Sequence, residues 1–258
     1  MHKTFSTVAG RTLVAACIAA GLAATTQAGA APWDRGGEQV QGSGRIVKQV
    51  RQVGGFNGLS LGLPGHVELR IGTAEGVTIE ADDNLLPLVE TVVENGTLKI
   101  RPARRNLNLP AKSIRIVVQA RSIERLALGG PGTINAEPLR ERKLDVELGG
   151  SGTIKLQGVE SEAMAVSVGG SGDLQAMRGT TGKLTVSIGG SGDVDLGRVR
   201  ADSAGVTIAG SGAATVWTRN ALSATIAGSG DVLYYGDPQV SKSTVGSGSV
   251  RRLGAAPK

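Results

Sequence analysis

From residue 144 onward, apolar and polar positions alternate in short runs that end at glycines. Leu144, Val146 and Leu148 precede Gly150; Met164, Val166 and Val168 precede Gly170; Leu184, Val186 and Ile188 precede Gly190. Ala204, Val206 and Ile208 then precede Gly210, and Leu222, Ala224 and Ile226 precede Gly228. A period of two predicts strands with one buried face. Beyond each corner a second short strand follows in the same inward phase, at Ile154 and Leu156, Leu174 and Ala176, Val194 and Leu196, and Ala214 and Val216. Leu139, Val159 and Val199 occupy equivalent later places and predict a third, less regular side.

The corners themselves repeat. Gly130-Pro131-Gly132 is followed by Gly150-Ser151-Gly152, Gly170-Ser171-Gly172, Gly190-Ser191-Gly192 and Gly210-Ser211-Gly212, each 20 residues after the last. Gly228-Ser229-Gly230 and Gly246-Ser247-Gly248 follow at intervals of 18. One such unit cannot bury its own apolar row, but stacked units can. The pattern predicts a single all-β parallel solenoid with rungs about 4.8 Å apart and a regular stack of roughly 29 Å. Glycine at the corners is expected to supply positive φ and to leave room for the rung above. Lys242 and Thr244 replace apolar residues in the last rung and predict a polar end. An antiparallel meander or sandwich with a 20-residue hairpin period is the alternative.

The remaining chain divides around this repeat. Residues 1–30 read as a secretory signal: Lys3 and Arg11, an uncharged stretch from Thr12 to Ala24, then Ala28-Gly29-Ala30 as a cleavage site before Ala31. The apolar stretch is short for a membrane span, and no later segment predicts one. Val14-Ala15-Ala16-Cys17 offers an alternative lipobox, which would anchor the chain through a lipidated Cys17. Residues 31–44 read as a flexible linker and 45–258 as the solenoid domain. Within it, 45–120 is strand-rich but irregular, 121–252 holds the regular rungs and 253–258 is a tail. Asn84 to Val89 predicts a helical turn limited by Pro87.

Composition narrows the chemistry. Glycine supplies 40 of the 258 residues and aromatic residues 2%. One cysteine excludes an internal disulfide framework, and two histidines exclude a His-rich zinc site. Without residues 1–30 the charge is 26 basic against 22 acidic residues, too balanced to argue for a nucleic-acid partner. No cofactor is implied.

Asp173, Asp193 and Asp231 follow Gly-Ser-Gly corners, but Thr153 and Ala213 interrupt the series. They read as solvated corner residues rather than calcium ligands. Asp193 and Asp195 could share a strand face, as a polysaccharide hydrolase or lyase requires of its acid–base pair. Few aromatic residues and an isolated His66 argue against that enzyme. Ser167, Ser187, Thr207 and Thr225 form an outward hydroxyl ladder. Lys99, Arg101, Arg104, Arg105, Lys112, Arg115, Arg121 and Arg125 make a basic segment whose one acid is Glu124, directly after a stretch, 72–96, with six acids and no base. The two segments either neutralise each other or leave a surface for anions. The candidate anion-binding residues are Arg101, Arg104, Arg105, Lys112 and Arg115.

Gly42-Ser43-Gly44, Arg51-Gln52-Val53-Gly54-Gly55-Phe56, Val67-Glu68-Leu69, Ala81-Asp82-Asp83-Asn84-Leu85-Leu86-Pro87 and Asn95-Gly96-Thr97-Leu98-Lys99-Ile100 precede the glycine-rich rungs. In this order, over about residues 42–252, the chain resembles the putative auto-transporter adhesin, head GIN domain family of bacterial envelope proteins. The resemblance implies a β-helical fold and an adhesin-like role. Reading to Lys258 leaves no room for the C-terminal barrel of a complete autotransporter. The expected protein is therefore an exported, non-enzymatic component of the periplasm or cell exterior, binding envelope glycan, lipopolysaccharide or another envelope protein. A structural or stress-related envelope component and a carbohydrate-active β-helix enzyme are the alternatives.

Overall fold

A computed structural model describes residues 38–110 and 114–257. The signal sequence, the Cys17 lipobox, Lys112 and the first part of the expected linker lie outside the described residues.

Three columns of side chains explain why the repeat folds as it does. On one side Leu126, Val146, Val166, Val186, Val206 and Ala224 are successive parallel partners, ending at Lys242. Around the glycine corner run Ile134, Ile154, Leu174, Val194, Ala214, Val232 and Val250. Leu139, Val159, Gly179 and Val199 form the third side. All but Lys242, Val250 and Gly179 in these columns are buried hydrophobic residues. Each large aliphatic side chain withdrawn from water contributes about 1.5–3 kcal/mol, which offsets the ordering of its rung. The fold is a parallel β-solenoid, and the antiparallel alternative does not describe the repeat.

The corner glycines are required for space more than for φ. An ideal Cβ at Gly150, Gly170 or Gly190 would overlap the carbonyl oxygen of the corner glycine one rung earlier. Positive φ, expected at every corner, occurs at the first glycine of the last three alone: Gly210, Gly228 and Gly246. The corner serines complete the stack: the Ser171, Ser191, Ser211, Ser229 and Ser247 amides donate to the glycine carbonyls below them.

The N-terminal part departs from chain order. The rung made by Gly58–Leu61 and His66–Ile71 pairs on one side with Arg125–Leu128 and Thr133–Ala136. On its other side lie Thr97–Pro102 and Arg115–Ala120. An early segment is thus threaded between two later ones, and residues 121–124 step across it. Glu124 and Arg125 fasten this step by donating their amides to the Asn57 carbonyl.

Antiparallel strands close this end. Gly76–Asp82 pairs with both Ile46–Arg51 and Arg115–Ala120, and Val89–Glu94 pairs with Thr97–Pro102. The last hairpin turns at Asn95 and Gly96, with φ of 49° and 71°, as a two-residue Asn-Gly turn demands. The expected helical turn is a 3-10 turn at Leu86–Leu88. Arg51 points into the cap and donates to the Leu86 and Val89 carbonyls and the Thr91 hydroxyl.

Residues 38–44 are not the free linker expected of them. Glu38–Gln39 pairs with Leu107–Asn108, and the Gly44 amide donates to Asp82 Oδ1 at 2.8 Å. The Ser43 hydroxyl binds Asp83 and is the main cause holding that carboxyl below its usual range. At the opposite end, Gln239–Gly246 pairs with the preceding rung and is exposed along its whole length. Lys242 and Thr244 occupy its inward phase, giving the expected polar end. No helix among the described residues is long and apolar enough to cross a membrane.

Candidate functional site

The outer face of the second side carries a cleft of about 340 Å³ above the threaded rung. Its position follows from strand register. Lys48, Glu80, Arg115 and His66 are consecutive cross-strand partners on four neighbouring strands. Val117 and Glu68 form the next row, and Gln119 and Arg70 the one after. All point outward because the alternating residues Val67, Leu69, Ile79, Ile116 and Val118 point into the core.

The charges in the cleft are incompletely neutralised. Arg70 Nη2 lies 2.8 Å from Glu68 Oε2. Glu80 stands between Lys48 and Arg115, yet none of these three closes an ion pair among the described residues. His66 adds a polar edge: its Nε2 lies 3.2 Å from Asn135 Nδ2. Asn135 Oδ1 is buried beside it without a hydrogen-bond partner. The cleft therefore sets three cations, Lys48, Arg70 and Arg115, against two carboxylates, Glu68 and Glu80, a net positive lining suited to phosphate or carboxylate oxygens.

Of the five candidate cations from the sequence, the four among the described residues do not gather in one place. Arg115 lies in the cleft. Arg101 is on the first side, 2.7 Å from Glu90 and 3.1 Å from Glu94. Hydrogen bonding to Glu90, above all, raises its pKa further. Lys99 also binds Glu94 at 2.7 Å, and this bond, with the charges of Lys99 and Arg101, holds the Glu94 carboxyl below its usual range. Arg104 and Arg105 are exposed in the loop after that strand, with Arg104 3.7 Å from Glu38. The acidic stretch thus neutralises one end of the basic segment. Lys48 and Arg70, missed in the sequence, enter the site through register. Their outward phase was readable in the alternation, but the threading that makes them neighbours of Arg115 was not.

Other sequence candidates have local roles. Asp193 Oδ1 accepts the Ala213 amide at 2.9 Å, and Asp231 Oδ1 accepts the Ser249 amide and hydroxyl at 3.0 and 2.7 Å. These carboxylates tie consecutive rungs. Ser167, Ser187, Thr207 and Thr225 are in register and exposed, as the hydroxyl ladder predicts.

The same architecture recurs in solved structures. A putative adhesin from Bacteroides fragilis is 23% identical with a TM-score of 0.78, covering 84% of this chain and 100% of its own. A putative adhesin from Parabacteroides merdae is 20% identical with a TM-score of 0.67, covering 83% of this chain and 99% of its own. A putative lipid binding protein from Parabacteroides distasonis is 25% identical with a TM-score of 0.67, covering 84% of this chain and 100% of its own. No curated protein sequence matches. The model of the putative auto-transporter adhesin, head GIN domain family matches residues 55–238, most of the threaded rung, cap and repeat described above, and the chain belongs to that family.

Proposed function

We propose that this protein is an exported, non-catalytic binding module of the bacterial cell envelope. Its cleft captures an anionic group of lipopolysaccharide or an acidic glycan. The observation that carries this reading is the pair of outward cations, Lys48 and Arg115, held on the two strands that flank the Glu80 strand, neither closing an ion pair among the described residues. Membership of an adhesin-like family supports a surface or envelope setting. The similar structure called a putative lipid binding protein is consistent with an envelope ligand. The rigid scaffold lowers the ordering cost of binding, and exposed cations accelerate encounter with a polyanion.

The test is lipopolysaccharide binding by wild type and by the Lys48→Ala/Arg115→Ala variant. Wild-type binding should weaken with added salt, because exposed charges are screened over about 8 Å at physiological ionic strength. The double variant should bind about tenfold more weakly at low salt. Equal affinity of the two proteins, or binding indifferent to salt, overturns the reading.

A further inference from the structure

The chain has two tryptophans, two tyrosines and two phenylalanines. Both tyrosines and one tryptophan sit on two adjacent rungs near the C-terminal end of the stack, where Val216 pairs with Tyr234 and Trp217 with Tyr235. A narrow aliphatic core has no need of them. Tyr234 leans against the core, whereas Trp217 and Tyr235 follow the outward phase of their strands. They are parallel partners, about 4.8 Å apart at the backbone. Arg200 is the partner of Trp217 on the previous rung, with its guanidinium carbon 5.9 Å from the indole centroid.

The surroundings of Tyr235 are shaped to leave its ring accessible. The ring reaches back across the preceding rung to Gly197, where a Cβ would lie 3.3 Å from its Cε2. On the following rung its strand partner is Gly254, where a Cβ would lie 3.9 Å from its Cδ1. Neither neighbour has a side chain to cover the ring. Beside it opens a groove of about 730 Å³, bounded by Asp195, Arg198, Thr215 and residues 253–257. Asp195 Oδ1 accepts the Gly197 amide at 3.0 Å and its Oδ2 the Gln175 side-chain amide at 3.4 Å, which fix the carboxylate at the groove edge and leave each oxygen one further lone pair.

We propose that this groove binds a pyranose unit of an uncharged glycan chain. The C–H face of the sugar stacks on Tyr235, and vicinal hydroxyls donate to Asp195. An aromatic face beside a fixed carboxylate suits a ring that is apolar on one face and hydroxylated at its rim. With Arg198 also on the wall, the edge carries both signs of charge and suits the hydroxyls of an uncharged sugar without favouring an ionised one. The site is separate from the Lys48–Arg115 cleft and stands without it.

The test uses a Trp33→Phe background, so that Trp217 is the sole indole emitter beside the groove. Cellotetraose, xylotetraose and chitotetraose are titrated while indole emission is followed. At least one should give a saturable change. Tyr235→Ala should weaken that binding about tenfold or more, whereas Tyr235→Phe should keep it within about threefold. Gly254→Leu serves as a second probe. It adds a side chain over the ring at ordinary contact distance and should block binding with an unchanged circular dichroism melt. Lys48→Ala/Arg115→Ala should leave it unaltered. Absence of saturation by any of the three sugars below about 10 mM overturns the proposal, as does undiminished binding in Tyr235→Ala or Gly254→Leu.

Discussion

The carbonyl oxygen of Gly170 fills the space that a side chain at Gly190 would need, and the next amide, Ser191, donates to that same oxygen at 3.1 Å. The corner is therefore a column of backbone in which steric exclusion and hydrogen bonding select the same residue. Because the relationship repeats at every corner from Gly170 onward, a Cβ in mid-stack disturbs the rung beneath as well as its own.

Gly190→Val should cost about 2 kcal/mol or more in a denaturant melt, because the backbone must separate to admit the side chain. Gly246→Val meets a similar overlap with Gly228 and adds a φ of 118°. It lies on the open last rung, however, so its damage should be confined there. Amide exchange should accelerate across 239–254 with little change in the global midpoint. Equal effects of the two variants on that midpoint would count against stacked corners.

Arg51 adds side-chain donors to the cap, joining the Val89 amide on the Leu86 carbonyl and reaching the Val89 carbonyl as well. Arg51→Ala leaves the Leu86 and Val89 carbonyls without this partner and should cost about 1–3 kcal/mol. Lysine, a point donor, cannot span the same acceptors and should restore little of the loss. Thermal melts of the two variants check this.

The Glu94 carboxyl should make the cap hairpin sensitive to acid. Its pKa in the folded protein lies below the usual value of 4.5, chiefly through the Lys99 hydrogen bond. Its stabilising contribution is therefore complete above that usual value and is lost as pH falls through the lowered one. Amide exchange in 89–102 should rise over this acid window in wild type. In Glu94→Gln the rise should be smaller, because that carboxyl no longer titrates.

Sequence alternation revealed the inward columns from Leu126 to Ala224 because each apolar position repeats with the corner. It could not reveal why 58–71 belongs between 97–120 and 125–136, since no local pattern marks a rung as threaded. The site suffered the same limit. Arg115 was visible as a cation and His66 as an isolated imidazole, but Lys48 and Arg70 became their neighbours only through non-local pairing. Conversely, Arg101 looked available in the basic run until the hairpin brought Glu90 and Glu94 against it.

The two exposed loop arginines provide a control on the cleft. Arg104→Ala/Arg105→Ala should barely change the melting temperature, because exposed charges contribute little to folding. It should reduce lipopolysaccharide binding less than Lys48→Ala/Arg115→Ala does. A larger loss from the loop pair would move the anion site to that loop.

Processing gives an independent check on export. Intact mass of the protein recovered from the cell envelope should correspond to a chain beginning at Ala31. A mass that includes Met1 would contradict signal cleavage, and a lipid-modified Cys17 would assign the chain to a membrane anchor.

The threaded rung also sets an order of events during synthesis. Residues 58–71 leave the ribosome before either of the strands that flank them, so one hydrogen-bonding edge stays open until residue 120 has emerged and the other until residue 136 has. Later rungs can be laid down one on another by short-range addition, but this first block must close over long loops, the slow kind of step in β-rich chains. The threaded block therefore stays unlocked through the first half of synthesis and closes once residues 125–136, the first regular repeat, arrive.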